Sequence, residues 1–254
     1  VNDCDACDLK MKPTHWRNGL AGILCLVATA VLALGGDAAS DAGRLENRVV
    51  MVLGNRGSVC SGTVVAPTII ITAGHCVSGS GQYAVAYREV GGSPTLQEVR
   101  QVARHPEFRA GARVSIDIAL VRLKLPLPAR FVPVALDDNV NDDGVGSRQT
   151  IAGFGIAREG DDSSAGTLRS ASVTVLPRYY PRFFRLGLSG GGIAICKGDS
   201  GGPVFSDGLF GLTLTGVVYG KEGGDGRQCG AIAQAVRIAP QRTWIDKTMA
   251  QWKN

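Results

Sequence analysis

Cys196-Lys197-Gly198-Asp199-Ser200-Gly201-Gly202-Pro203 decides the reading of this chain. Glycines on both sides of one serine let the backbone turn tightly and aim amide N–H groups outward, an arrangement that can hold a developing oxyanion. A serine hydroxyl is a weak nucleophile near neutral pH, so such a loop needs a general base in reach and a third group to orient that base. Both are available upstream. Thr72-Ala73-Gly74-His75-Cys76 carries a histidine, and Asp117-Ile118-Ala119-Leu120 sets one carboxylate in an otherwise apolar run where it would be shielded from water. Each motif alone has an ordinary structural explanation: a turn, a core histidine, a capping aspartate. Their coincidence in one chain favours nucleophilic chemistry.

Around these motifs the chain reads as short apolar runs of strand length, punctuated by glycine and proline. The runs fall at 48–53, 59–65, 69–72, 83–88, 98–103, 118–123, 150–154, 170–176, 202–205, 212–219 and 231–236. No segment before Arg237 has helical periodicity, whereas residues 240–252 place Trp244, Ile245, Thr248 and Met249 on one face of a terminal helix. The pattern is all-β with one late helix. A chain of 254 residues, 44% apolar and 19% charged, can bury a large core, and its 35 glycines suit many turns. The net charge of +5 comes from scattered arginines without a basic stripe, which argues against nucleic acid as a partner.

Lys10, Lys12 and Arg17 precede an apolar run at 20–34, with small residues Gly36, Ala38 and Ala39 after it. This reads as an export signal over residues 1–38, cut near Ala38. The run is shorter than the roughly 20 residues of a membrane span, so membrane contact is expected only transiently through the signal, an uncleaved anchor being the alternative. Met11-Lys12 looks like a natural start, which makes residues 1–10 an upstream extension that is not translated. Cys4 and Cys7 fall in that extension and Cys25 in the signal, leaving Cys60, Cys76, Cys196 and Cys229. An even remainder suits two disulfides in a secreted or periplasmic protein. A lone Cys4-x-x-Cys7 pair, and two histidines without ligand spacing downstream, give no reason to expect a metal, and no cofactor is implied.

In the order His75, Asp117, Ser200, the three motifs resemble the catalytic segments of the trypsin/chymotrypsin family of serine endopeptidases, and the resemblance runs from about residue 48 to the C-terminus. It implies two antiparallel six-stranded β-barrels in one protease domain, 39–254, joined near 126–133, with the chemistry in the cleft between them. Ser200 would be the nucleophile, His75 the base and Asp117 the carboxylate that fixes the imidazole tautomer, with the amides of Gly198 and Ser200 forming the oxyanion hole. Disulfides Cys60–Cys76 and Cys196–Cys229 follow from the same resemblance, the first closing a loop worth about 3 kcal/mol in the chain-entropy model. Asp199 would pair with an ammonium freed on activation. Ala33-Leu34-Gly35-Gly36 stands at about the family's distance before Cys60, and signal removal, a cut after Arg44 or an internal basic group are the other routes.

The family's pocket floor lies six residues before the nucleophile, here Ala194, with Ile195 beside it. Tyr219 and Gly220 form the wall, where Val217-Val218-Tyr219-Gly220 replaces the relatives' Ser-Trp-Gly and a glycine-rich insertion at 221–226 follows. No acid stands at the floor, which disfavours Lys or Arg before the scissile bond and points to a small or medium apolar residue. His105 matches a family surface position without catalytic duty, and the Asp- and Ser-rich loop 160–166 reads as solvated and without chemistry. The expectation is a monomeric exported serine endopeptidase acting on proteins or peptides. The alternative is a non-catalytic homologue that binds partners through the cleft.

Overall fold

The structure, a computed structural model, describes residues 43–89, 92–112, 114–142, 144–177, 180–188, 194–208, 211–222 and 226–252. The expected export signal at 1–38, with Cys4, Cys7, Cys25 and the 33–36 sequence, lies outside the described residues.

Strands β1 (Val49–Gly54), β2 (Val59–Ala66), β3 (Ile69–Thr72), β4 (Tyr83–Arg88), β5 (Pro94–Arg104) and β6 (Ala119–Leu123) close a barrel in the order β1-β2-β3-β6-β5-β4. A second barrel follows the order β12-β8-β9-β10-β15-β13, with β12 pairing back to β13. Its strands are β8 (Arg148–Gly153), β9 (Arg169–Leu176), β10 (Phe183–Leu188), β12 (Pro203–Gly208), β13 (Gly211–Lys221) and β15 (Ile232–Arg237). The pairings within both barrels are antiparallel; β7 (Ala135–Leu136) adds a short parallel pairing to β13. A separate ribbon joins β11 (Ile195–Cys196) to β14 (Cys229–Gly230). The fold is the expected pair of six-stranded barrels, and the chain passes from one to the other between residues 124 and 147.

Period-two alternation explains how the barrels meet. In β3, Ile70 points into the first barrel's core with Val50, Val52, Val64 and Val121, while Ile69 and Ile71 join a second cluster with Leu120, Phe205, Leu214 and Val217. In β13, Val217 belongs to that shared cluster, whereas Val218 faces the second barrel's interior with Ile151, Val173 and Leu186. Strands apolar on both faces therefore line the seam, each fully buried Ile or Val contributing about 1.5–3 kcal/mol. Helix α1 (Arg242–Gln251) follows a 3-10 turn containing Pro240 and buries Ile245 and Thr248, with Trp244 and Met249 packed alongside. Because Ile245 and Trp252 enter the same cluster as Leu45, Val49 and Ile69, the helix braces both barrels.

Candidate active site

Antiparallel register brings His75 and Asp117 together. Thr72 at the end of β3 pairs with Ala119 at the start of β6, so the chain leaving one strand runs beside the chain entering the other. His75 opens a 3-10 turn three residues past Thr72, and Asp117 precedes β6 by two. The carboxylate grips the histidine twice: Oδ1 accepts from the His75 backbone N–H at 2.8 Å, and Oδ2 lies 2.7 Å from Nδ1. Asp117 is the more buried partner, its side chain 13% exposed against 38% for His75, so the acid sits beneath a ring that reaches the cleft. The Cys60–Cys76 disulfide fastens this turn to β2.

Ser200 lies in the turn between β11 and β12. Gly201 must be glycine: its φ is +83°, and a Cβ would stand 2.1 Å from the Ser61 carbonyl oxygen. The Ser200 carbonyl accepts from Ser61 N at 2.8 Å, and Gly201 N donates to Val218 O at 2.6 Å, so both barrels hold the turn. Gly198, at φ +99°, and Ser200 direct backbone N–H groups that find no acceptor among the described residues. The Cys76 sulfur lies 3.7 Å from His75 Nε2 and 3.7 Å from the Ser200 carbonyl oxygen, which sets the imidazole next to the serine's backbone across the seam. Among the described residues Ser200 Oγ makes no hydrogen bond to Nε2; such bonds commonly tighten only when substrate binds.

Ser61 escaped the sequence reading. Fully buried in β2, its hydroxyl accepts from Phe154 N at 2.9 Å and donates to Gly198 O at 2.9 Å, while its carbonyl accepts from Thr72 Oγ1 at 2.7 Å. A serine beside a disulfide cysteine has no distinguishing local pattern, because its partners lie 11, 93 and 137 residues away.

Asp199 is also fully enclosed. Its carboxylate accepts from Gly155 N at 2.9 Å and Cys196 N at 2.8 Å. Gly153 and Gly155 pack so closely that a Cβ on either would fall within 2.6 Å of a carboxylate oxygen. Among the described residues no cation pairs with it. Arg169 attracts it electrostatically, but its guanidinium donates to the carbonyls of Gly155 and Ser164. Burial, opposed by the two amide hydrogen bonds and Arg169, pushes the carboxyl from 3.8 up to about 6. A raised native value favours the protonated form, so this contribution to stability is complete below the unfolded value and lost as pH rises through about 6. Its size is about 3 kcal/mol. Urea unfolding of the unprocessed chain against Asp199→Asn should show the wild type losing roughly that much relative stability between pH 4 and pH 7, a slope the variant lacks.

Beside Ser200 opens a cavity of about 110 Å³, lined by Ile195, Lys197, Val218, Gly220, Lys221 and Gln228. Of the four pocket residues named from the sequence, Ile195 and Gly220 line it. Ala194 is buried with Ile156 and the Cys196–Cys229 disulfide, and Tyr219 stands nearby in a bulge of β13, edge-on to Phe183 at 5.9 Å. Burial, with Asp117 and Glu222 adding, raises the Tyr219 hydroxyl to about 12. Val218 and Lys221, from the wall stretch and the insertion read in the sequence, also line it, and Gln228 extends the wall beyond that reading.

Two other features sharpen. His105 is buried, not on the surface: its ring meets Trp244 edge-on at 4.9 Å and Nδ1 accepts from Glu107 N, which places it in the helix packing. The cluster of metal-ligating types among the described residues, Cys60, His75 and Cys76, has both sulfurs tied in a disulfide and offers no ligand set.

Twin closed barrels with a serine loop facing a carboxylate-held histidine across the seam define the chymotrypsin-type serine proteases. Comparison with known proteins narrows the class. Residues 34–245 match the family model described as Trypsin. A trypsin of Saccharopolyspora erythraea is 30% identical over 70% of this chain and 84% of its own length. Brachyurin of Leptuca pugilator is 29% identical over 65% and 79%. Transmembrane protease serine 9 of Rattus norvegicus is 29% identical over 75% of this chain, which spans only 20% of that longer protein. The chain belongs to the trypsin family of serine endopeptidases. No helix among the described residues is long and apolar enough to cross a membrane.

Proposed function

We propose that the protein is an exported endopeptidase that cleaves after small or medium apolar residues through a Ser200-His75-Asp117 acyl-enzyme mechanism. The observation that carries this reading is the double grip of Asp117 on His75, because it leaves Nε2 as the ring's basic nitrogen. Ser200 Oγ attacks the scissile carbonyl carbon as Nε2 takes its proton. The oxyanion is held by the amides of Gly198 and Ser200. The C–N bond then breaks as the imidazolium protonates the leaving amine, and water, activated by the same nitrogen, releases the acid.

The small cavity supports the specificity. Its volume matches about four waters, and Ile195 and Val218 make its wall aliphatic. Lys197 at the rim is engaged with Asp162 at 2.7 Å. Peptides differing only in the residue before the scissile bond should be cleaved at least about tenfold better with Ala, Val or Leu than with Lys, since no carboxylate stands among the described residues that line the pocket to meet a buried cation. Preference for Lys, Arg or Glu would overturn the pocket reading, and a folded protein cleaving none of them would be the binding homologue.

Asp199 is assigned to activation on the same terms. A groove of about 680 Å³ is lined by Glu46, Met51, Tyr87, Arg130, Phe154 and Leu168. Among its lining residues, Phe154 lies in sequence between the two glycines that enclose Asp199. A freed ammonium reaching Asp199 along this groove would neutralise the carboxylate. Export rests on the basic-then-apolar N-terminal sequence and is supported by two disulfides, which persist in oxidising compartments.

A further inference from the structure

Loop 156–164, whose Asp- and Ser-rich end the sequence reads as solvated and without chemistry, is braced from within. The Ser164 hydroxyl accepts from Ala157 N and Arg158 N and donates to Asp161 O, and Arg169 binds the carbonyls of Gly155 and Ser164. A loop stiffened this way can transmit position. It meets the pocket at three places. Ile156 N donates to Lys197 O at 2.9 Å, and Gly160 N donates to Gln228 Oε1 at 3.1 Å. The third contact is the strongest: Glu159 Oε1 accepts from Gln228 N at 2.5 Å and Oε2 from Cys229 N at 2.9 Å.

One carboxylate thus supplies both acceptors to two consecutive backbone amides in the pocket wall. Hydrogen bonds to an ionised acceptor are the stronger kind, and two from one rigid group fix orientation as well as distance. The chain they hold matters for binding. Gln228 lines the cavity beside Ser200, and its carbonyl accepts from Lys197 N at 2.9 Å. Cys229 is disulfide-bonded to Cys196, at the start of the nucleophile loop. Upstream, Glu222 is tied to Arg185 on β10, so the wall is anchored at its far end by a separate ion pair.

We infer that Glu159 is a positioning residue for substrate specificity: without touching substrate, its carboxylate clamps the 228–229 wall so that the pocket next to Ser200 is formed before substrate arrives. The inference rests on the proposed assignment of that pocket. A preformed wall contributes to binding, because ordering a loose one would otherwise be charged to substrate affinity.

The test uses Glu159→Ala and Glu159→Gln in the full processed protein, assayed with apolar peptide substrates, a fluorophosphonate probe and amide hydrogen exchange. For Glu159→Ala the expected result is a KM raised about tenfold with kcat within about twofold, and faster exchange at residues 227–229. Glu159→Gln, which keeps one acceptor oxygen, should fall between it and the wild type, and fluorophosphonate labelling should proceed at the wild-type rate. Unchanged KM and exchange in Glu159→Ala would overturn the clamp. So would a fall in kcat and labelling at constant KM, which would place the residue's influence at the nucleophile. A wild type that never labels would overturn the proposed mechanism instead, while the exchange measurement would still decide whether Glu159 holds the wall.

Discussion

Ser200→Ala should lower peptide hydrolysis by about a million-fold while leaving the fold intact. The substitution removes one oxygen. Neither the Ser61 N to Ser200 O bond nor the neighbouring glycine contacts involve it, and no hydrogen bond within the described residues uses the hydroxyl. Thermal unfolding should therefore shift little, as for surface changes that cost within about 0.5 kcal/mol. The small residual rate would come from the Gly198 and Ser200 amides, which still polarise a bound carbonyl. Hydrolysis of an apolar peptide and a melting curve on the same preparation check this. Retention of even a hundredth of the activity would place the nucleophile elsewhere.

Asp117→Asn should cost about ten-thousand-fold in kcat with KM little changed. The reason lies in proton bookkeeping at Nδ1. As a carboxylate, Asp117 accepts both from the His75 backbone N–H and from Nδ1–H, which leaves Nε2 unprotonated and able to receive the Ser200 proton. An asparagine can keep its oxygen on the backbone N–H only by turning its NH₂ toward the ring. Nδ1 must then accept, the proton moves to Nε2, and the base is lost without a visible change in geometry. Rates measured above pH 10, where a serine alkoxide becomes accessible without the imidazole, should recover in part. Equal loss at all pH values would mean that Asp117 acts by holding the loop in place instead.

The barrels were legible because the seam demands apolar residues on both strand faces, which makes runs such as Ile69-Ile70-Ile71 conspicuous. Strand β10 was not. Phe183-Phe184-Arg185-Leu186-Gly187-Leu188 is interrupted by an arginine whose partner, Glu222, lies 37 residues away. The reactive trio was visible for a related reason: each member sits in a local motif. The supports were not, since Ser61, Glu159 and Arg169 act through contacts 5 to 137 residues distant and carry no pattern of their own. The same limit moved His105 from the surface into the helix packing, as its neighbour Trp244 is remote in sequence.

The measurement closest to the central claim is mass spectrometry of the processed protein after reaction with a fluorophosphonate, with the adduct mapped to a residue. One adduct per chain on Ser200 near pH 7.5, absent from His75→Ala, is the predicted result. A folded, processed protein that takes no label, or takes it at another residue, would contradict an assembled Ser200-His75-Asp117 mechanism.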